Sequence, residues 1–251
     1  MTKRKAYIHL ASSLLLIVLS IILFVLKVTR NYVFWYHIVF YIAAAATVII
    51  TSSAIYYMTK KQEHVQSKTL ELLDWLSFTT QSLAVILFIF MFFIFSSTVK
   101  QSSMYPTLQE GNIVIATQFN YTPERGDIVI VHVDPTEHPT ETEKLLVKRI
   151  AAVPGDHITF LESPSDGGYK ILINDELYQI NGQTFIARYI SNEKEILMAS
   201  LDDDGYVKAS EYVVFGDNEA NSKDSRNLGT FDDDDIIGHV ICKIWPFGGL
   251  S

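Results

Sequence analysis

The chain has 251 residues, of which 49% are hydrophobic and 19% charged, and its formal net charge is −8. Residues 1–100 contain nine basic and three acidic residues, whereas residues 101–251 contain 11 basic and 25 acidic ones. The acidic second part excludes a nucleic-acid partner, which needs a basic surface. The single cysteine, Cys242, excludes an internal disulfide and a cysteine-ligated metal cluster.

Three apolar runs dominate the first hundred residues, at about 7–26, 33–57 and 76–99. Each reaches the roughly 20 residues that a helix needs to cross a hydrocarbon core, and none contains an acidic or basic residue. We therefore predict a membrane region over residues 1–100 with three transmembrane helices. The first run is long for a secretory signal and lacks a clear small-x-small cleavage site, so we interpret it as a retained span.

The basic residues around these runs predict their orientation. They stand before the first run, at positions 3, 4 and 5, and between the second and third runs, at positions 60, 61 and 68. Positive residues favour the cytoplasmic side, and those at 27 and 30 weaken this bias without reversing it. Aromatic residues at positions 32, 34, 35, 36 and 75 are typical of interfacial anchors. The N-terminus is thus predicted inside and everything after the third span outside.

Short β-type runs replace the helical runs after residue 100. They are rich in valine, isoleucine, tyrosine and phenylalanine, and glycine, proline, asparagine and aspartate turns bound them. The predicted strands are 112–117, 127–133, 145–153, 157–161, 169–174, 184–190, 211–215 and 237–245. Because strands and helices do not alternate, a doubly wound parallel sheet is not expected. We predict one mostly-β domain of antiparallel sheets over residues 101–251.

No metal or other cofactor is predicted. The acidic runs at 202–204 and 232–235 lack the alternating spacing of a calcium-binding EF-hand loop. A His-Glu-x-x-His zinc motif and the Gly-x-Ser-x-Gly elbow of common serine hydrolases do not occur in the sequence. We interpret the acidic runs as solvated loop tips.

Four segments carry the candidate chemistry: QSSMYPTL at 101–108, RGDIV at 125–129, VKRIAAVPGD at 147–156 and GDNEANSKDSR at 216–226. In this order, behind N-terminal spans, they resemble the characteristic boxes of the bacterial type I signal peptidases. The resemblance runs from the third span to about residue 226 and leaves 160–210 unmatched. It implies a signal-peptidase-like β domain in a bacterial plasma membrane.

The resemblance implies a role for each matching position. Ser103 is the nucleophile, Lys148 is the general base, and Ser222 supports the lysine amine. Asp224 and Arg226 fall where the family has structural polar residues. Such enzymes cut signal peptides after small residues, typically Ala-x-Ala, as preproteins leave the translocation channel. The implied partners are therefore signal peptides, the lipid bilayer and that channel.

The resemblance also implies an oxyanion hole and two shallow pockets. The backbone N–H of Ser103 stabilises the oxyanion, and some members add a hydroxyl two residues earlier, where this chain has Gln101. Either the Gln101 amide donates or the site relies on the backbone alone. Met104 and Val147 occupy positions that help to form the pockets for small residues one and three places before the cut.

The chemistry of a serine–lysine pair sets a physical requirement. A serine hydroxyl is a weak nucleophile until a base takes its proton, and lysine is a base only when its amine is neutral. The reference pKa of lysine is about 10.4, and full burial lowers it by up to about 3–5 units. Lys148 lies within the apolar run 145–153, which offers such a setting. Activity is therefore expected to rise toward alkaline pH.

Two alternatives are weaker. A self-cleaving repressor or another Ser-Lys protease of similar fold does not account for three spans, and this chain has no DNA-binding front half. A non-catalytic signal-peptidase-like assembly or binding protein is expected to lose the serine or the lysine, and both are present here. Endoplasmic-reticulum relatives have histidine in place of Lys148, so the lysine indicates a bacterial or organellar enzyme.

Overall fold

The computed structural model describes residues 2–25, 34–59, 67–117, 121–134 and 145–246. The chain forms two compact units, residues 1–95 and residues 96–251. The loop residues at 27, 30, 32, 60 and 61, which enter the predicted orientation, lie outside the described residues.

The first unit consists of three helices, α1 (Lys3–Val25), α2 (Phe34–Thr59) and α3 (Ser67–Phe92). All three contain a segment long and apolar enough to cross a membrane. Three spans were expected, but the predicted end of the third one at residue 99 is wrong. Helix α3 begins at Ser67 and ends at Phe92, and a strand follows it. Polar Ser96, Ser97 and Thr98 end the apolar run and pair in a sheet, which overrides the hydropathy pattern.

Small and aromatic side chains pack the helices together. Phe40, Ala43 and Ala44 of α2 share a buried cluster with Ala84 and Phe88 of α3. Alanine lets helix backbones approach closely, which is the main source of packing energy between helices in a membrane. Polar pairs add to these contacts: Thr47 Oγ1 donates to Thr80 Oγ1 at 2.7 Å, and the Ser13 hydroxyl donates to Gln81.

Thirteen strands occur among the described residues of the second unit, counting β1, which starts at Ile94, two residues before the unit begins. They are β1 (Ile94–Thr98), β2 (Ile113–Thr117), β3 (Ile128–His132), β4 (Leu145–Ala152), β5 (Ile158–Ser163), β6 (Gly168–Ile173), β7 (Glu176–Leu177), β8 (Gln179–Ile180), β9 (Gln183–Thr184), β10 (Ile186–Arg188), β11 (Glu211–Phe215), β12 (Phe231–Asp232) and β13 (Ile236–Trp245). Two short helices, α4 (Glu193–Ser200) and α5 (Ser225–Leu228), accompany them.

The strands form a seven-stranded sheet in the order β1-β2-β13-β3-β4-β11-β12 and a smaller sheet in the order β10-β6-β5, with β7 on β6. Strands β8 and β9 form a separate hairpin. Neighbours such as β3 and β4, β4 and β11, and β5 and β6 are antiparallel, which confirms the predicted mostly-β antiparallel fold. The predicted strand 184–190 is shorter, because β10 covers only Ile186–Arg188, and α4 was not predicted.

Strand β11 is buried on both of its faces. Val213 and Phe215 pack into one apolar cluster, with Phe185 and Leu197, whereas Tyr212 and Val214 pack into a second cluster on the other face. A strand that is covered on both sides is held firmly at its end. This fixes the start of the segment that follows at residue 216.

Candidate active site

Ser103 lies in a compact turn between β1 and β2. The N–H of Tyr105 donates to the Ser102 carbonyl at 3.0 Å, and the N–H of Leu108 donates to the Met104 carbonyl at 2.8 Å. Met104 and Leu108 are fully buried under the turn, and the Ser103 side chain is nearly buried. The two apolar anchors hold the serine in a fixed place.

Lys148 reaches this serine from β4. Lys148 is paired with Val129 of the neighbouring strand β3. Because successive side chains of a strand alternate, its side chain points away from that of Arg149. Lys148 is only 1% exposed. Its Nζ lies 2.8 Å from Ser103 Oγ and 3.1 Å from the Val147 carbonyl oxygen. The structure thus brings together two residues that stand 45 positions apart in sequence.

A cavity of about 420 Å³ opens at this pair. Two chain segments and one residue of β3 line it: Ser97, Thr98, Val99, Lys100, Gln101 and Ser103; Leu145, Leu146, Val147 and Lys148; and Ile130. Gln101 and Val147 both line this cavity together with Ser103. Met104 is fully buried and is not among the described residues that line the cavity.

Segment 216–226, which follows β11, contacts the turn that carries Ser103. The backbone N–H of Asn218 donates to the Ser103 carbonyl at 2.9 Å, and its side-chain amide donates to the Ser102 carbonyl at 3.1 Å. Asn221 donates to the Ser102 hydroxyl at 2.6 Å. The backbone of Gly216 lies so close to Ser103 and Ser222 that a Cβ at this position would overlap the Ser222 hydroxyl and the Ser103 carbonyl oxygen. Only glycine fits at this approach.

Ser222 is brought to the site without the predicted bond to the lysine amine. Its Oγ is buried beside Gly216 and has no hydrogen-bond partner among the described residues. A buried hydroxyl without a partner is unfavourable by about 1–3 kcal/mol, so such groups are uncommon and often functional.

Asp224 and Arg226 form a buried ion pair behind this segment. The Arg226 guanidinium donates to both Asp224 oxygens at 2.9 Å and to Glu219 Oε1 at 3.2 Å. Burial opposes the charge of Arg226, but the nearby carboxylates, Asp224 first, leave the pKa of the guanidinium raised. Asp224 Oδ2 also accepts from the Gly216 N–H at 3.1 Å. Among the described residues, the side-chain hydrogen bonds of this pair are with segment 216–226 and with the Ile186 carbonyl of β10, and none is with Ser103 or Lys148.

A further set of polar contacts joins all four motif segments, and the sequence analysis missed it. Buried Asp217 accepts from Arg149 at 2.8 and 2.7 Å and from the Thr107 hydroxyl. The hydrogen bond from Arg149 to Asp217 raises the pKa of the Arg149 guanidinium. Arg149 also donates to the Gly126 carbonyl at 2.7 Å. All four residues belong to the motif segments, so their position in the motifs was the one sequence feature that could have indicated these contacts.

Comparisons with known proteins identify the family of the chain. The family described as "Signal peptidase, peptidase S26" matches residues 72–245. Signal peptidase IB of Staphylococcus aureus is 29% identical over 194 residues, covering 70% of this chain and 91% of the relative. Signal peptidase I T of Bacillus subtilis is 34% identical over 203 residues, covering 76% and 95%.

A solved signal peptidase I from Enterococcus faecalis V583 is 21% identical, with a TM-score of 0.29, and covers 48% of this chain and 98% of its own. The matched range of the family extends from within α3 to the end of β13 and includes all four motif segments. The chain therefore belongs to the bacterial type I signal peptidases of peptidase family S26, a family of serine proteases.

Proposed function

We propose that this protein removes N-terminal signal peptides from exported preproteins by cutting after Ala-x-Ala-type sites, with Ser103 as the nucleophile and Lys148 as the general base. The observation that carries the proposal is the 2.8 Å separation between the buried Lys148 Nζ and Ser103 Oγ. It is supported by the cavity that opens at the same two side chains.

The reaction follows from this geometry. The neutral Lys148 amine takes the proton from Ser103 Oγ as the oxygen attacks the scissile carbonyl. The resulting ammonium then gives that proton to the leaving amine of the mature protein, and an acyl-enzyme remains. Water, deprotonated by the same amine, hydrolyses the ester and releases the signal peptide. The lysine thus acts first as base and then as acid in each half of the cycle.

The negative oxygen of the tetrahedral intermediate needs hydrogen-bond donors. The Ser103 backbone N–H is one, and we assign Gln101 as the second because its side chain lines the cavity beside Ser103. Ser222 supports the lysine amine in this proposal, since its buried hydroxyl is unpartnered next to Gly216 and the Ser103 carbonyl. Asp224 and Arg226 position the segment that holds both.

Selection of small residues comes from the apolar lining. Val147, Leu146 and Ile130 line the cavity near the catalytic pair, and a bulky substrate side chain would meet them. We assign Val147 to the small-residue pocket. Met104, which does not line the cavity, acts on this pocket only indirectly, by packing under the turn that carries Ser103.

The proposed location is a bacterial plasma membrane, with the N-terminus in the cytoplasm and the catalytic domain on the outer side. The three apolar helices support insertion, and the basic residues at positions 3–5 and 68 support this orientation. Signal peptides and the bilayer are the partners required by the reaction. The translocation channel is a further proposed partner, since preproteins emerge from it.

The test is cleavage of a preprotein with an Ala-x-Ala site by the purified full-length protein in detergent. Wild type is expected to cut at that junction, and Ser103→Ala is expected to be inactive. The matched control is Ser102→Ala, which loses one hydrogen bond from Asn221 and should retain activity within about tenfold. Equal activity of Ser103→Ala and Ser102→Ala would contradict the assignment, and an inactive, folded wild type would favour a non-catalytic binding role.

A further inference from the structure

The two segments that line the active-site cavity differ in chemistry. Four of the five lining residues that precede Ser102 are polar, and we call them the polar segment: Ser97, Thr98, Lys100 and Gln101. Four further lining residues are apolar, and we call them the apolar segment: Ile130, Leu145, Leu146 and Val147. A substrate in the cavity therefore meets a polar and an apolar surface at once.

Lys100 is the unusual member of the polar segment. Its side chain is exposed, and it forms no ion pair or hydrogen bond with any residue in the described part of the chain. The other cation of the cavity, Lys148, is buried against Ser103. No carboxylate occurs among the described residues of the lining. Within the described residues, therefore, no carboxylate pairs with the Lys100 ammonium at the border of the cavity.

The geometry of an extended peptide determines which substrate residue meets this cation. Successive side chains of an extended chain point to opposite sides. If the small residues one and three places before the cut face the apolar segment, the residue two places before the cut points away from it, and Lys100 is the exposed cation of the lining available to it. This step rests on the proposed function, which supplies the position of the cut.

We propose that Lys100 is a specificity-determining residue that favours substrates with an acidic side chain two places before the cut. The attraction is between the Lys100 ammonium and an aspartate or glutamate of the signal peptide. Because the pair is open to water, the expected preference is small, about threefold in kcat/KM. Salt screens an exposed pair, so the preference decreases as ionic strength rises.

The experiment compares two peptides that share an Ala-x-Ala site and differ only in glutamate or glutamine at x. The ratio of kcat/KM for the glutamate peptide to that for the glutamine peptide is measured with full-length enzyme in detergent. Wild type should give a ratio of about three, Lys100→Gln about one, and Lys100→Glu about one third. The control is Lys243→Gln on β13, a lysine outside the cavity lining, which should keep the wild-type ratio.

Because the ratio compares two substrates on the same enzyme, a general loss of activity in a variant cancels. The same ratio in wild type and both Lys100 variants would overturn the proposal, and so would an equal change in Lys243→Gln. Failure of wild type to cut either peptide would instead overturn the proposed function and this inference with it. If all variants cut both peptides and the kcat/KM ratio does not depend on the charge at position 100, the proposed function stands and only the role of Lys100 is overturned.

Discussion

At the scale of single residues, the unusual feature is a lysine amine held away from water against a serine hydroxyl. Lys148 is 1% exposed, and the β4 residues two places before and after it, Leu146 and Ile150, are apolar and buried. Burial disfavours a charged ammonium, and a lysine is a base only in its neutral form. The environment of Lys148 is therefore suited to the role proposed for it.

This role predicts the pH dependence of cleavage. The active form carries a neutral amine, so kcat/KM should rise with pH through the titration of Lys148 and level off above it. The measurement is kcat/KM for an Ala-x-Ala peptide without titratable side chains, with the folded state checked at each pH. A profile that is flat between about pH 6 and about pH 9 would contradict a lysine base.

Gly216 offers a second prediction at this scale. The Cβ of alanine at this position would overlap the Ser222 hydroxyl and the backbone carbonyl oxygen of Ser103. Gly216→Ala should therefore lower kcat by tenfold or more, on the order expected for a small misplacement of catalytic groups. Gly168→Ala is the control, because its Cβ would overlap the Ala187 carbonyl of β10, which is outside the motif segments. It should lower stability while the folded enzyme keeps its specific activity.

How far the residues could be predicted depends on whether they carry a recognisable pattern. Ser103 and Lys148 stand in two motifs, and the structure brings their reactive atoms into contact. The bond from Thr107 to Asp217 joins residues 110 positions apart, and that from Arg149 spans 68. Such pairings depend on the three-dimensional path of the chain. The order of the motifs indicates that their residues meet, but not which polar atoms pair.

At the scale of elements, segment 216–226 connects β11, which is buried on both faces, to the turn that carries Ser103. Arg226 anchors it through Asp224 and Glu219, and its guanidinium also lies over the rings of Phe185 and Phe215. These contacts fix the conformation from which Gly216 and Asn218 reach Ser103. The buried ion pair therefore acts on the site through backbone placement.

Replacing buried Arg226 should lower the free energy of unfolding much more than replacing the more exposed Arg188. Arg226→Met leaves Asp224 buried without its main partner, and we expect a loss of about 3–5 kcal/mol. Arg188→Met is the matched control, because Arg188 also pairs with Glu219 but is 40% exposed, so its loss should be about 1 kcal/mol or less. Thermal unfolding of the full-length variants in detergent measures the difference. Equal melting temperatures for the two variants would contradict the anchoring role.

The elements were predictable where one physical signal dominates. Alternating β-rich runs predicted strands such as β3, β4 and β11 close to their observed bounds. The third span was predicted too far toward the C-terminus because Ile94 and Phe95 continue the apolar run. They belong to β1, whose pairing in the large sheet is not visible in hydropathy. Helix α4 lies in the stretch that no motif covers, and its short amphipathic pattern gave little signal.

At the scale of the whole molecule, the chain combines three apolar helices with an acidic β domain that carries Ser103 and Lys148. The proposed reaction requires that the β domain lie on the outer side of the membrane, where signal peptides emerge. The distribution of basic residues supports this orientation. Orientation is therefore a property that a direct experiment should establish.

The single cysteine provides that experiment. Cys242 is exposed on β13, so a membrane-impermeant thiol reagent should label it in intact cells, and Cys242→Ser should abolish the labelling. In the Cys242→Ser background, Lys3→Cys at the exposed start of α1 should be labelled only after permeabilisation. Labelling of Lys3→Cys in intact cells, with protection of Cys242, would indicate the opposite orientation.

The most direct test of the central claim is cleavage of an Ala-x-Ala preprotein by wild type and by Lys148→Ala, each purified at full length in detergent. Lys148→Ala removes the amine that lies 2.8 Å from Ser103 Oγ and leaves the serine in place. Wild type is predicted to cut at the Ala-x-Ala junction, and a folded Lys148→Ala is predicted to show no cleavage. Retained cleavage by Lys148→Ala at the same junction would contradict the account, because another group would then have to activate Ser103.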